Sequence, residues 1–113
     1  MREIKFKFWL KDDESMVDWF DAIDSVGGIE YFMLSDEVDR LQFTGLTDTN
    51  GVEIYESDIA QCDRGLLWVI KFINGCFMAC NPVDENDYCM IDDYPLAVVG
   101  NEHQNPELMR EFE

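Results

Sequence analysis

The sequence predicts an α+β fold that is mostly antiparallel β, in a small barrel or a strongly twisted sheet. One amphipathic helix is expected near residues 16–26, and a short helix is expected at the C-terminus. Three observations predict this fold. Apolar and polar residues alternate near the N-terminus, the apolar period becomes helical after Ser15, and two apolar runs flank Asn74-Gly75. At 113 residues the chain has room for one domain, spanning 1–113.

The first element is a strand over residues 2–10. Its alternation places one set of side chains on the buried face and another on the exposed face. The buried set is Ile4, Phe6, Phe8 and Leu10, and the exposed set is Glu3, Lys5 and Lys7. Residues 11–14 form a polar turn.

The helix near residues 16–26 follows from an apolar stripe and its end signals. Ser15 is the expected N-cap, with Asp18 three residues on, and Gly27-Gly28 supplies the stop. The residues expected to face the core are Met16, Trp19, Phe20 and Ile23, with Val26 at the edge of the stripe.

The remaining apolar runs predict short strands separated by turns. They cover residues 29–34, 41–45, 52–59, 66–73, 76–80, 88–91 and 96–99. Asn74-Gly75 predicts a two-residue hairpin turn between two of them. Asn105-Pro106-Glu107 is typical of a helix start: a cap, a proline at the first helical position and an acid.

The net charge of the chain limits the classes of molecule that it can bind. The chain has 25 Asp and Glu against 8 Lys and Arg, for a net charge of −17. Bare nucleic acid and anionic membranes would be repelled, whereas a basic protein surface would be attracted. The abundant aromatic residues favour a folded domain with a charged shell over a disordered chain.

The chain is expected to stay in the bacterial cytoplasm. No apolar run is long enough to span a membrane, and Lys5, Lys7 and Lys11 interrupt what would be the core of a signal peptide. In the cytosol, cysteines are expected as buried thiols rather than disulfides. They are Cys62, Cys76, Cys80 and Cys89.

Three stretches of the sequence, at residues 2–9, 41–59 and 98–108, are similar to motifs of the YopX family. They read Arg-Glu-Ile-Lys-Phe-Lys-Phe-Trp, Leu-Gln-Phe-Thr-Gly-Leu-Thr-Asp-Thr-Asn-Gly-Val-Glu-Ile-Tyr-Glu-Ser-Asp-Ile and Val-Val-Gly-Asn-Glu-His-Gln-Asn-Pro-Glu-Leu. The resemblance implies a mostly β core and a phage or prophage origin, and it brings no catalytic residues. Ser57 stands where the family pattern has a glycine, so the turn before Asp58 is expected to differ. Residues 11–40 match no family motif.

Catalytic and metal-binding patterns are weak. The single histidine, His103, is expected in a surface turn, and an enzyme would need it beside a thiol or paired carboxylates. Cys76 and Cys80 give one ligand pair where zinc usually needs two. A calcium loop aligned on Gly51 would begin at Leu46, which is no ligand. No cofactor, no metal and no catalytic residue are therefore expected, and the protein is predicted not to be an enzyme.

The acidic surface is the remaining signal. Residues 12–39 contain ten acids and no base. We expect a surface that binds a basic partner, with a solubilising role as the plainer alternative. It is formed by Asp12, Asp13, Glu14, Asp18, Asp21 and Asp24, and secondarily by Asp84, Glu85, Asp87, Asp92 and Asp93. The acids within residues 84–93 could instead hold a hard cation weakly or form a solvated loop.

Two function classes follow from this surface. The first is a non-enzymatic phage-derived protein that mimics DNA and blocks a basic nucleic-acid-binding groove of a host defence protein, of the anti-restriction or anti-CRISPR type. The alternative is a structural or regulatory homo-oligomer without nucleic-acid mimicry, which would bury exposed aromatic residues. Reversing Asp18, Asp21 and Asp24 to Lys is expected to abolish partner capture and leave the fold intact.

Overall fold

The computed structural model describes residues 3–25, 28–84, 86–91 and 95–109. Nine strands, two short α-helices and a 3-10 helix follow one another in this part of the chain. They are β1 (Phe6–Leu10), β2 (Ser15–Val17), α1 (Trp19–Asp24), α2 (Gly28–Leu34), β3 (Val38–Thr47), β4 (Glu53–Tyr55), β5 (Asp58–Cys62), β6 (Leu67–Ile73), β7 (Cys76–Cys80), β8 (Tyr88–Met90), β9 (Leu96–Asn101) and a 3-10 helix (Pro106–Leu108). The α+β class with mostly antiparallel strands is confirmed.

The strands form two antiparallel sheets, one of which curls into a half-barrel. The first sheet has the order β2-β1-β3-β4, and the second has the order β8-β7-β6-β5-β9. The helices α1 and α2 pack against each other and against β1 and β3. They therefore cover one face of the first sheet, and we call this pair the helical layer.

The buried apolar side chains form two hydrophobic cores. Under the helical layer, the buried side chains are Phe8, Ala22, Phe32 and Val38. The larger core lies between the second sheet and β4 of the first sheet, and its buried side chains are Ile54 from β4 together with Ala60, Ile70, Phe77, Ala79, Ile91 and Leu96. The helical layer thus rests on a small core that is separate from the larger one.

The hairpin at Asn74-Gly75 is confirmed. Ile73 pairs with Cys76, so these two residues alone form the turn between β6 and β7. Both have positive φ, 52° for Asn74 and 88° for Gly75. A two-residue turn of this kind needs left-handed backbone at both positions, which Asn and Gly tolerate best.

The predicted alternation of buried and exposed side chains is wrong at the start of the first strand. Phe6 is half-buried and Phe8 fully buried, but Ile4 is 69% exposed and Lys5 is only 7% exposed. The strand begins at Phe6, one residue after Lys5. Lys5 is buried because its ammonium pairs with Glu53 at 2.6 Å and Glu3 at 3.3 Å, which compensates the burial of its charge.

The predicted helix over residues 16–26 is also shorter than expected. Ser15 and Met16 belong to β2, and the N-cap of α1 is Asp18, whose carboxylate accepts a hydrogen bond from the N–H of Asp21 at 2.8 Å. Val26 lies outside the described residues. A strand at residues 29–34 is wrong as well, because that segment is α2. Its inward side chains, Ile29, Phe32 and Met33, have helical spacing.

Two further elements differ in detail. The run over residues 52–59 is broken between β4 and β5, because Ser57 adopts a left-handed φ of 69° and turns the chain. The C-terminal helix is a single 3-10 turn, and the side chain of Asn105 makes no capping hydrogen bond to it. The Asn105 Oδ1 atom instead accepts from the N–H of Asn101 at 3.2 Å.

Hydrogen bonds of the middle motif, residues 41–59, join the two sheets. The Asp48 carboxylate accepts from the N–H groups of Asn50, Val52 and, in β9, Val98, all within 2.9 Å. The Glu56 carboxylate accepts from the N–H of Gln42. Asp48 therefore fixes its own turn and ties the end of β3 to the second sheet.

Candidate functional site

The first acidic group lies in the turn between β1 and β2. Asp12, Asp13 and Glu14 are all exposed there. Leu10 pairs with Ser15 on one side and with Val38 on the other. Because the strands are hydrogen-bonded in this register, the turn lies beside the segment that leads into β3.

That neighbouring segment adds acids that the sequence reasoning did not assign to the site. Asp36 and Glu37 are exposed, and Asp39 follows in β3. Lys11 lies between the two groups: its ammonium donates to the Asp36 carbonyl at 3.1 Å and pairs with Asp39 at 3.5 Å. The alternating pattern of β1, if paired with β3, is the sequence signal that could have shown that these two acidic segments are neighbours.

The second acidic group lies on α1. Asp18, Asp21 and Asp24 are exposed, and in the described part of the chain none of them takes part in an ion pair. Asp18 also stabilises the fold, because it is the N-cap of α1. Replacing Asp18 by Lys removes the cap and should cost about 1 kcal/mol, so the triple reversal changes stability as well as charge.

The apolar stripe of α1 does not face the core as predicted. Ala22 is buried and Trp19 packs against Phe6 and Phe8, at ring distances of 6.1 and 6.4 Å. Phe20, in contrast, is 68% exposed. Residues four apart share a helix face, so Phe20 lies beside Asp24 on the outside. The acids of α1 are therefore interleaved with apolar side chains and do not form a purely charged face.

The third acidic group lies on the second sheet, in the loop between β7 and β8. Asp84 and Asp87 are exposed and make local contacts, because Asp84 accepts from the N–H of Asn86 and Asp87 accepts from the side-chain amide of Asn81. Glu85, Asp92 and Asp93 lie outside the described residues. The loop flanks β8, an edge strand of the second sheet, whereas the other two groups flank β2, an edge strand of the first.

His103 lies in a turn after β9, as expected. Its N–H donates to the Asn101 side chain at 3.0 Å, and its ring stacks on Trp9 with centroids 5.2 Å apart. Among the described residues, no three His, Cys, Asp or Glu side chains come together as metal ligands would. The described contacts of His103 thus hold the C-terminal turn against the first sheet.

The thiols are less buried than predicted. Cys80 is buried, but the other three cysteines are half-buried. Burial acts to raise the pKa of the Cys62 thiol, but hydrogen bonds from the backbone N–H groups of Arg64 and Leu66 oppose burial, and the net effect is a lowered pKa. Cys62 and Cys89 line one cavity of about 260 Å³, which also includes Trp68.

Two carboxylates of the middle motif have shifted pKa values. Burial raises the pKa of Asp58 to about 6, although the N–H of Tyr55 and the charge of Lys7 oppose the shift. Burial also acts to raise the pKa of Asp48, but its three backbone hydrogen bonds outweigh burial and lower that pKa. Both carboxylates serve the scaffold, since their hydrogen-bond partners are backbone N–H groups of the sheets and turns.

No helix in the described ranges combines the length and the apolar composition that crossing a membrane requires. Helices α1 and α2 have six and seven residues.

Solved structures with the same fold come from two bacteria. The crystal structure of protein EF1440 from Enterococcus faecalis aligns with a TM-score of 0.66 at 24% identity, over 96% of this chain and 99% of that chain. Protein yopX from Bacillus subtilis aligns with a TM-score of 0.54 at 19% identity, over 96% and 97%. At these identities the likeness is one of fold. Comparison with curated proteins gives no match. The family model of the YopX protein matches residues 5–110, nearly the whole chain, and the chain therefore belongs to the YopX family.

Proposed function

We propose that this chain is a non-enzymatic interaction protein whose acidic surface blocks a basic nucleic-acid-binding groove of a host defence protein. The observation that carries the proposal is a group of exposed acids along β2's edge of the first sheet that form no ion pair with any residue the structure describes. They are Asp12, Asp13, Glu14, Asp18, Asp21 and Asp24. Lys11 is the cation beside them, and its described contacts are to Asp36 and Asp39.

The spacing of these acids suits a basic groove. Asp18, Asp21 and Asp24 follow one another at intervals of three residues, which corresponds to about 4.5 Å along the axis of a helix. Duplex DNA presents one charge per roughly 1.7 Å of axis, so adding the neighbouring turn acids brings the surface closer to that density. A cationic groove evolved for phosphates would attract this surface and raise its association rate.

The acids are not needed to hold the first sheet together. Apart from the cap at Asp18, the described hydrogen bonds of β1, β2 and β3 do not use their carboxylates. Exposed like charges lower stability slightly, by roughly 0.2–0.5 kcal/mol for each neighbouring pair on a helix. A partner-binding role supplies a reason for keeping them.

The test is capture of basic proteins from a bacterial lysate by a variant with the cap preserved. Asp21→Lys with Asp24→Lys reverses two exposed charges and leaves Asp18 in place. The matched control is Asp63→Lys with Glu107→Lys, two exposed acids elsewhere, which changes the net charge equally. We expect the first variant to lose capture and the control to keep it.

A second experiment addresses mimicry itself. Captured proteins should be released by duplex DNA and by raising the salt concentration, because both compete for the same cationic groups. Capture that persists in high salt, or that duplex DNA leaves unchanged, contradicts a DNA-mimicking surface. Equal loss of capture in the Asp63/Glu107 control would show that net charge alone is responsible.

A homo-oligomeric structural or regulatory role is the second candidate function. The observation that favours it is the exposure of large apolar side chains on the helices, above all Phe20 and Leu34. Sedimentation of the pure protein tests it: a stable oligomer that Phe20→Ser and Leu34→Ser dissociate would support this role.

A further inference from the structure

The outer surface of the helical layer carries an apolar patch. Phe20 is 68% exposed, Tyr31 55% and Leu34 79%, and Ile23 beside them is 47% exposed. Contiguous exposed apolar side chains mark interaction sites more often than singly scattered ones do, and these four lie on two adjacent short helices. We call these four side chains the helical patch.

The helical patch is one surface. Trp19 and Ala22 of α1 and Phe32 of α2 point toward the sheet, so the opposite sides of both helices face away from it. The two helices pack against each other, and packed helices have axes about 8–10 Å apart. Tyr31 and Leu34 also line a shallow depression with Glu30 and Ser35.

The rim of the patch is acidic. Asp21 and Asp24 lie on α1 and Glu30 on α2, all exposed. No Lys or Arg occurs between Lys11 and Arg40 in the sequence. Arg40 lies near the C-terminal end of α2, where its guanidinium donates to the Met33 carbonyl at 2.9 Å. Duplex DNA presents negative charge to its partners but no apolar side chains like those of the helical patch. The helical layer therefore offers both an apolar contact and negative charge.

We propose that the helical patch docks an amphipathic, basic segment of another protein, with apolar side chains against Phe20 and Leu34 and Lys or Arg against the acidic rim. This inference rests on the proposed function and names the chemistry of its partner. A second copy of this chain is disfavoured as occupant, because an isologous contact would bring Asp21, Asp24 and Glu30 against the same acids. Such like-charge juxtaposition opposes association.

The probe for the experiment is a synthetic helical peptide of about four turns, with Leu at i, i+3, i+4 spacing and Lys elsewhere. Its control is a peptide of the same composition in scrambled order, which has the same charge and no apolar face. Binding of each labelled peptide is measured by fluorescence anisotropy at roughly physiological salt. We expect the amphipathic peptide to bind at least about tenfold more tightly than the scrambled one.

The variants separate the patch from the charge. Phe20→Ser with Leu34→Ser should weaken binding of the amphipathic peptide by at least about tenfold, as loss of two central contacts does in other interfaces. Val83→Ser, at a side chain 65% exposed in the loop between β7 and β8, should leave binding of the amphipathic peptide unchanged. Circular dichroism of each variant checks that the helices remain.

Each other outcome overturns the inference in a distinct way. Equal binding of both peptides, or loss only with Asp21→Asn and Asp24→Asn, removes the apolar patch and leaves the acidic surface. Failure of both peptides to bind counts against the patch and the acidic surface together. A wild-type dimer that Phe20→Ser and Leu34→Ser dissociate would assign the patch to a second copy of the chain.

Discussion

Replacing Asp58 by Asn should stabilise the protein at neutral pH. Asp58 is 5% exposed, and its ionised form is held by one described hydrogen bond, from the N–H of Tyr55 at 2.8 Å. Burial raises the pKa of Asp58 from 3.8 to about 6. At 1.36 kcal/mol for each pKa unit, ionised Asp58 therefore costs the folded state about 3 kcal/mol. Asn keeps the acceptor oxygen for Tyr55 and removes the charge.

The pH dependence follows from the direction of the shift. Between about pH 4 and pH 6 the unfolded chain has released the Asp58 proton and the folded chain still holds it. The free energy of unfolding contributed by this group therefore falls with rising pH across that window and is constant above it. Asp58→Asn should lack this loss.

Urea unfolding of both proteins, measured at several pH values from 4 to about 7.5, tests this reasoning. The two free energies of unfolding should nearly coincide at the acidic end. The variant should be more stable by about 1–3 kcal/mol above pH 7, the lower bound allowing for an imperfectly paired amide N–H. If the variant is less stable at neutral pH, or the difference does not change with pH, burial is not what shifts the Asp58 pKa.

Three further substitutions test the scaffold by the same unfolding measurement. Asp48→Asn should cost about 2–4 kcal/mol, since one of its three N–H donors would meet an amide donor; an unchanged stability would contradict its role as a link between sheets. Gly100→Ala should cost about 1–3 kcal/mol, because the added Cβ would lie 2.5 Å from Asn105 Oδ1; a neutral effect would show that Asn105 can move. Ser57→Gly should gain roughly 0.5–1 kcal/mol by relieving a positive φ, and a loss would mean that the Ser57 side chain holds the turn.

The sequence was most informative where a local signal has a single structural solution. Asn74-Gly75 between two apolar runs predicted the hairpin to the residue, because few other dipeptides accept left-handed backbone twice. The resemblance over residues 41–59 was equally informative about family. Its polar residues are the ones that tie the sheets together, as the hydrogen bonds of Asp48 show.

Local pattern was least informative for residues 15–34. Short apolar runs fit a strand or a helix equally well, and α2 is a helix because Ile29, Phe32 and Met33 pack together on the first sheet. Which side of α1 faces inward depended on Phe6 and Phe8, whose contacts with Trp19 are tertiary. The acids of the candidate site could be named from the sequence. Their neighbours Phe20 and Leu34 could not be recognised as exposed.

The separation of the two cores has a thermodynamic consequence. Substitutions at distant sites that share no partners add in free energy, so changes on the outside of the helical layer should be independent of changes around Ile70. The helical layer can therefore vary in sequence without lowering the stability of the larger sheet.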